Sequence, residues 1–214
     1  MHTFRMKPMV AAAGLMLASS FSSAGTVDAA GDFLASFTGA HGADLDVVSA
    51  SVLYNPIAHV YSLTGTMAGA IGTTPGGVYV WGVNRGQGTA AFAGIGAAGV
   101  LFDMVIAINA NGPGQVTDRV GGLAAFVFGA GTAHVDGATV SLDLDESRLP
   151  GRGFAATAFT WNLWPRDSRV AGAAAISDFA PDNSNVTTTV PEPASLALVG
   201  LGIAALAFTV RRRG

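Results

Sequence analysis

Short alternating runs broken by turn residues constrain this chain more than anything else in it. From Val140 to Asp145 the apolar Val140, Leu142 and Leu144 interleave with Ser141, Asp143 and Asp145. A strand sends successive side chains to opposite faces, so this stretch makes a strand with one dry and one wet face. Runs of this kind recur at Leu45–Tyr54, Ala58–Met67, Val78–Val83, Thr89–Ala93, Val100–Ile108, Leu123–Phe128, Thr132–Val135, Ala138–Leu144, Phe154–Trp161 and Val170–Phe179. Their separators have turn chemistry: Thr74-Pro75-Gly76-Gly77, Asn111-Gly112-Pro113-Gly114 and the loop Arg148 to Gly153. Asp136-Gly137 between two strand-like runs is a two-residue hairpin signal. The expected fold is mainly β, an antiparallel β-sandwich or jelly roll. A β-helix is the second choice, without a regular short repeat to support it.

Both ends have a different texture. Arg5 and Lys7 precede an apolar stretch, Met9 to Ala18, and Ser22-Ser23-Ala24 places small residues at −3 and −1 of a cleavage site. Residues 1–24 are therefore expected to be a secretory signal peptide, cut after Ala24. At the other end, Ala194 to Val210 is an uncharged run of 17 residues followed by Arg211, Arg212 and Arg213. As a helix it would be about 25 Å long, at the short end for a membrane span. The arginines would hold that end in the cytoplasm. Pro191 and Pro193 would make the helix start after them. Between the ends, residues 25–181 are expected to be one β-rich ectodomain. Asp182 to Thr189, polar and without hydrophobic period, is expected to be a flexible linker.

The order Pro191-Glu192-Pro193, apolar run, Arg211-Arg212-Arg213 resembles the PEP-CTERM sorting signal of exported proteins of Gram-negative bacteria. The resemblance covers residues 190–214. It implies processing by an exosortase, a membrane enzyme, with recognition near Pro191 to Pro193 and loss of the tail. It implies transient anchoring in the inner membrane and then sorting to the cell surface or extracellular matrix. Two further stretches, Tyr79 to Gly86 and Asp178 to Asn183, resemble segments of PEP-CTERM ectodomains. That likeness implies no activity.

The segment 25–189 holds 13 acids against 6 arginines and no lysine. A net charge near −7 would repel phosphate, so nucleic acid is not an expected partner. Absence of cysteine removes disulfides, thiolate metal sites and cysteine catalysis, leaving burial and backbone pairing to hold the fold.

Residues with chemical potential each have a plain structural reading. Gly94-Ile95-Gly96-Ala97-Ala98-Gly99 matches G-x-G-x-x-G, but the next run is strand-like, so it is expected to be a glycine-rich turn. His41, His59 and His134 are scattered, and no metal site is assigned to them. Asp44 with Asp46, and Asp143 with Asp145, aim paired carboxylates from one face. They would suit calcium, but the expectation is solvated acidic faces and no cofactor. Asp103 interrupts an apolar strand and is expected to be a paired structural acid or a strand-end carboxylate, or else one half of a glycosidase pair. Trp81, and Trp161 with Trp164, are aromatics that belong to the core or stack on sugar rings. The expected function is a non-enzymatic structural or adhesive surface domain. The alternative is a domain that binds exopolysaccharide through Trp161, Trp164 or Trp81, and a secreted hydrolase comes last.

Overall fold

A computed structural model describes residues 25–191. The expected signal peptide with Ala24, the expected span 194–210, and Glu192, Pro193 and Arg211 to Arg213 lie outside the described residues. The strands are β1 (Thr26–Val27), β2 (Val47–Asn55), β3 (Val60–Met67), β4 (Gly77–Asn84), β5 (Met104–Asn109), β6 (Gly114–Asp118), β7 (Phe126–Phe128), β8 (Ala133–Asp136), β9 (Thr139–Asp145), β10 (Thr160–Asp167) and β11 (Val186–Thr187). They form two sheets, in the orders β1-β2-β3-β9-β8 and β11-β10-β4-β5-β6-β7. Every neighbouring pair of strands is antiparallel. Among the described residues, helix is confined to 3₁₀ turns of three or four residues, such as Ala43–Leu45 and Gly172–Ala175.

Alternation sets which face each strand buries. In β3, Tyr61, Leu63 and Met67 are buried while Ser62, Thr64 and Thr66 are not. In β9, Val140, Leu142 and Leu144 do the same. They meet Tyr79, Trp81 and Val83 of β4, Met104, Ile106 and Ile108 of β5, and Trp161 and Leu163 of β10 in one core. A Cβ at Gly65 would lie 2.4 Å from Leu163 Cδ2, so glycine there lets the second sheet come close.

The second sheet is covered on its outer face as well. Val80 and Trp164 join Ala97, Val100, Phe102, Ile176 and Phe179 in a second apolar cluster. That explains why β4 is buried almost throughout rather than on alternate residues. The covering segments are those expected to be strands at Thr89–Ala93 and Val170–Phe179. Both are instead loops with isolated bridges, Thr89 to Phe102 and Arg166 to Ile176. A strand needs a neighbour to pair with along its length, and these two lie over a sheet rather than beside one. β10 also begins later than expected: Ala156–Ala158 is a 3₁₀ turn, and the strand runs on to Asp167.

The Asp136-Gly137 hairpin is present, one residue out of register. Asp136 pairs with Thr139, so the loop residues are Gly137 and Ala138. Gly137 has φ +56°, the left-handed value a type II′ loop needs at its first position.

Residues 182–189 are not a free linker. β11 pairs with β10 through Val186 and Thr187. The Asn185 amide donates to Leu101 O at 2.7 Å. Thr189 N donates to Val52 O at 2.9 Å, and Tyr54 N donates to Thr189 O at 2.8 Å. Short polar side chains here serve as hydrogen-bond partners for the sheet rather than for water.

Candidate functional site

The outer cover of the second sheet leaves a groove of about 520 Å³ above β4, β5 and β10. Val78, Val80, Val105 and Ala107 form its apolar bed, with Trp164, Phe92 and Phe102 at one side. Arg119 and Arg166 stand on its lining, and neither guanidinium forms an ion pair among the described residues. Alternation explains the bed: Tyr79 and Trp81 point inward, which turns Val78 and Val80 outward.

The three tryptophans have different fates. Trp81 is 1% exposed and Trp161 is 0% exposed, both inside the sandwich. Trp161 Nε1 donates to Thr188 Oγ1 at 2.8 Å. Sugar stacking by these two is corrected to core packing, because neither has a ring face in contact with solvent. Trp164 sits at the groove, but Phe92 meets it edge-on at 5.1 Å and Phe102 lies 5.0 Å away. At 3% exposure it is part of the wall and not a free platform. Phe92, only half-buried, is the aromatic that presents surface to the groove.

Asp103 is sealed. Arg85 Nε donates to Asp103 Oδ1 at 2.7 Å, and the N–H groups of Arg85 and Gln87 each donate to Oδ2 at 2.9 Å. Arg85 continues through Nη2 to Asp118 Oδ1 at 2.8 Å, and Arg152 Nη2 reaches Asp118 Oδ2 at 2.8 Å. Burial pushes the Asp118 carboxyl up, but the Val120 N–H and the two guanidiniums together hold it below the usual carboxylate range. Two arginines and two aspartates thus neutralise one another beneath the 150–154 loop. Arg85 O accepts from the N–H groups of Arg152 and Phe154. This arrangement excludes Asp103 from contact with a substrate. In the sequence nothing marks Arg85 except its place directly after a buried strand.

The acid pairs separate. Asp44 accepts from Thr74 N at 2.8 Å and from Thr74 Oγ1 at 2.5 Å. Asp46 instead lies with Asp32 and Asp178. Both are buried, so the solvated face expected for them is corrected; the segment opens as a 3₁₀ turn and not as a strand. Asp143 and Asp145 are exposed on the outer face of β9. Asp143 accepts from Ser62 Oγ, and Asp145 caps the next turn by accepting from Ser147 N. The histidines do not converge. Among them, His59 has an acidic partner, with Nδ1 2.7 Å from Glu146 Oε2, which also accepts from Tyr54 Oη at 2.5 Å. These two hydrogen bonds hold the Glu146 carboxyl below its usual range. The Gly94–Gly99 stretch is a loop of the outer cover, with a 3₁₀ turn at Ala93–Ile95 and no helix after it.

Residues 189–213 match the family of the PEP-CTERM protein-sorting motif. No curated protein matches the chain, and no solved structure does. The motif marks an exported protein sorted to the cell surface and processed by an exosortase, a membrane enzyme. Of the motif's residues singled out in the sequence, Pro191 is described and half-buried.

Proposed function

We propose that this chain is a non-enzymatic structural or adhesive domain displayed on the surface, or in the extracellular matrix, of a Gram-negative cell. One observation carries the reading: the sorting motif begins at the residue where the sandwich ends. The match starts at residue 189, and Thr189 is hydrogen-bonded to β2. A folded body joined directly to a processing signal suits a cargo whose task is to be placed and held. The decisive test is fractionation and intact-mass measurement in the native host with and without its exosortase. With the enzyme, the protein is recovered from surface or matrix without Arg211 to Arg213. Without it, the protein stays in the membrane with the tail intact. A surface form that keeps the tail would reduce the motif to a plain anchor.

The groove favours a second reading, in which adhesion runs through exopolysaccharide. Its apolar bed suits the C–H faces of a sugar ring. Arg119 and Arg166, free of ion pairs among the described residues, suit carboxylates by paired N–H donation, so the polymer would be acidic. Retention on immobilised acidic and neutral polysaccharides tests this reading. Acidic polymer retards the protein, and the double variant F92A/R166A runs unretarded. Equal behaviour of variant and parent would overturn it.

A further inference from the structure

We propose that Asp32, Asp46 and Asp178 hold a calcium ion, with Asp28 and Asp182 flanking it, which locks the loop after β1 and the turn after Asp178 onto the head of β2. The carboxylates form two triads that share Asp32. One is Asp28, Asp32 and Asp182; the other is Asp32, Asp46 and Asp178. Within each triad, one oxygen from each residue lies within 4.8 Å of the others. Calcium bonds oxygen at about 2.4 Å, so two ligands across an ion stand at most about twice that distance apart.

The hydrogen bonding leaves the charge without an answer. Asp46 is 4% exposed; its Oδ2 accepts from Gly31 N at 2.8 Å, while its Oδ1 is buried with no partner. Asp28 Oδ2 is likewise buried without a partner. Such orphaned oxygens are rare unless something binds them. Asp178 is fixed by the N–H groups of Val47 and Phe179, at 2.8 and 2.7 Å. None of the ion pairs among the described residues includes any of these aspartates. Carboxylates gathered this closely without a counter-charge lose their ionisation or take a cation.

An all-oxygen, all-carboxylate set selects a hard cation. The number of carboxylates favours calcium over magnesium, which keeps most of its waters and few protein ligands. Asp32 and Asp182 are exposed, which gives the ion a way in. The cluster draws on residues far apart in sequence, so the ion would cross-link the start and the end of the sandwich.

The test uses the full chain, stripped with a chelator, then titrated with calcium chloride alone by calorimetry and thermal melting. Binding is expected with a Kd on the order of 10⁻⁴ to 10⁻³ M, as in other extracellular calcium modules, and the melt moves up with calcium. Asp32→Asn weakens calcium binding at least about tenfold, and Asp46→Asn removes the calcium-dependent rise. In chelator, Asp46→Asn melts no lower than the parent, because it deletes a buried repelling charge; a merely structural aspartate would give a loss. Asp143→Asn, on the outer face of β9, binds as the parent does. If Asp46→Asn fails to fold, Asp32→Asn decides, since its exposed carboxylate makes no hydrogen bond among the described residues. No heat and no rise in melting up to about 10 mM calcium would overturn the proposal, and so would unaltered binding by Asp32→Asn. Equal binding of magnesium or zinc would overturn the assignment to calcium.

Discussion

Arg85 and Asp103 form an ion pair with neither side chain exposed, Nε standing 2.7 Å from Oδ1. The two sit at the point where β4 ends and the chain turns to cover the second sheet. Arg85 also holds Asp118, so one guanidinium compensates two buried carboxylates. Removing one partner of a buried pair leaves the other charged and alone, which costs about 3–5 kcal/mol. Arg85→Met is therefore expected to lose that much stability in urea unfolding. Arg152→Met should lose clearly less, because Arg152 is 28% exposed and Asp118 keeps Arg85. Equal losses from the two variants would contradict the view that Arg85 is the centre of the network.

Acid should weaken the fold through Asp167 and Asp118. Arg169 donates to Asp167 through Nη2 at 2.7 Å and Nε at 2.9 Å, and holds that carboxyl down at about 2. An unfolded aspartate titrates near 3.9. A carboxyl whose folded pKa lies below its unfolded value stabilises above the unfolded one, and that contribution is lost as pH falls toward the folded one. The window for Asp167 is thus from about pH 4 down to about pH 2, and Asp118 shifts in the same sense. Arg169 is 52% exposed, so solvent screens the pair and the contribution is modest. Asp167→Asn should flatten the fall of melting temperature in that window and leave the slope between about pH 5 and 8 unchanged. A parallel curve for the variant would contradict the assignment.

Gly82 should resist substitution because of Trp164. A Cβ there would collide with Trp164 Cζ3 and Cη2, so the indole packs against bare backbone. Gly82→Ala must push the ring out of the groove wall, at about 1–3 kcal/mol for overpacking. Gly94→Ala meets nothing within 4 Å and is expected to stay within about 0.5 kcal/mol of the parent. Thermal melts of the pair decide it. A near-neutral Gly82→Ala would mean that Trp164 is not held as described. If the groove holds polysaccharide, Gly82→Ala also reduces retention, since it moves one of the groove's aromatic walls.

Local pattern makes the sandwich legible, and its limits lie where pattern is silent. Val140, Leu142 and Leu144 announce both strand and face, and the adjacent glycine announces the hairpin to within one residue. The loops over the second sheet defeat the same logic. Phe92, Phe102 and Phe179 are apolar because they cover a sheet from outside, and apolar content alone does not distinguish cover from strand. β6, with Gly114, Gln115 and Thr117, carries too little hydrophobic signal to stand out. Site residues escape notice for a related reason. Asp46, Asp178 and Asp32 meet only through tertiary contact, and nothing in their spacing foretells it. Arg85 is equally silent in the sequence, because burial of an arginine depends on partners 18 and 33 residues away.

The segment from Asp182 to Thr189 gives the sharpest contrast between a linker and a strand of the fold. If it were a linker, a chain stopped after Pro181 would melt like one stopped after Val190. The hydrogen bonds argue otherwise. Stopping at Pro181 removes β11, the Thr188 hydroxyl that satisfies Trp161 Nε1, and Thr189, which pairs with Val52 and Tyr54. It also removes Asn185, whose amide reaches Leu101 O at 2.7 Å and Thr160 Oγ1 at 3.0 Å. Each net hydrogen bond contributes about 1 kcal/mol, and a buried donor left unpaired costs about 1–3 kcal/mol. The shorter chain is therefore expected to lose several kcal/mol in urea unfolding. Thr188→Val isolates one contact, leaving Trp161 Nε1 and Phe159 O without the hydroxyl between them. It should cost about 1–3 kcal/mol. Identical unfolding midpoints for the two chain lengths would return the segment to the status of a tether. A lower midpoint for the shorter chain would make the segment a strand of the sandwich.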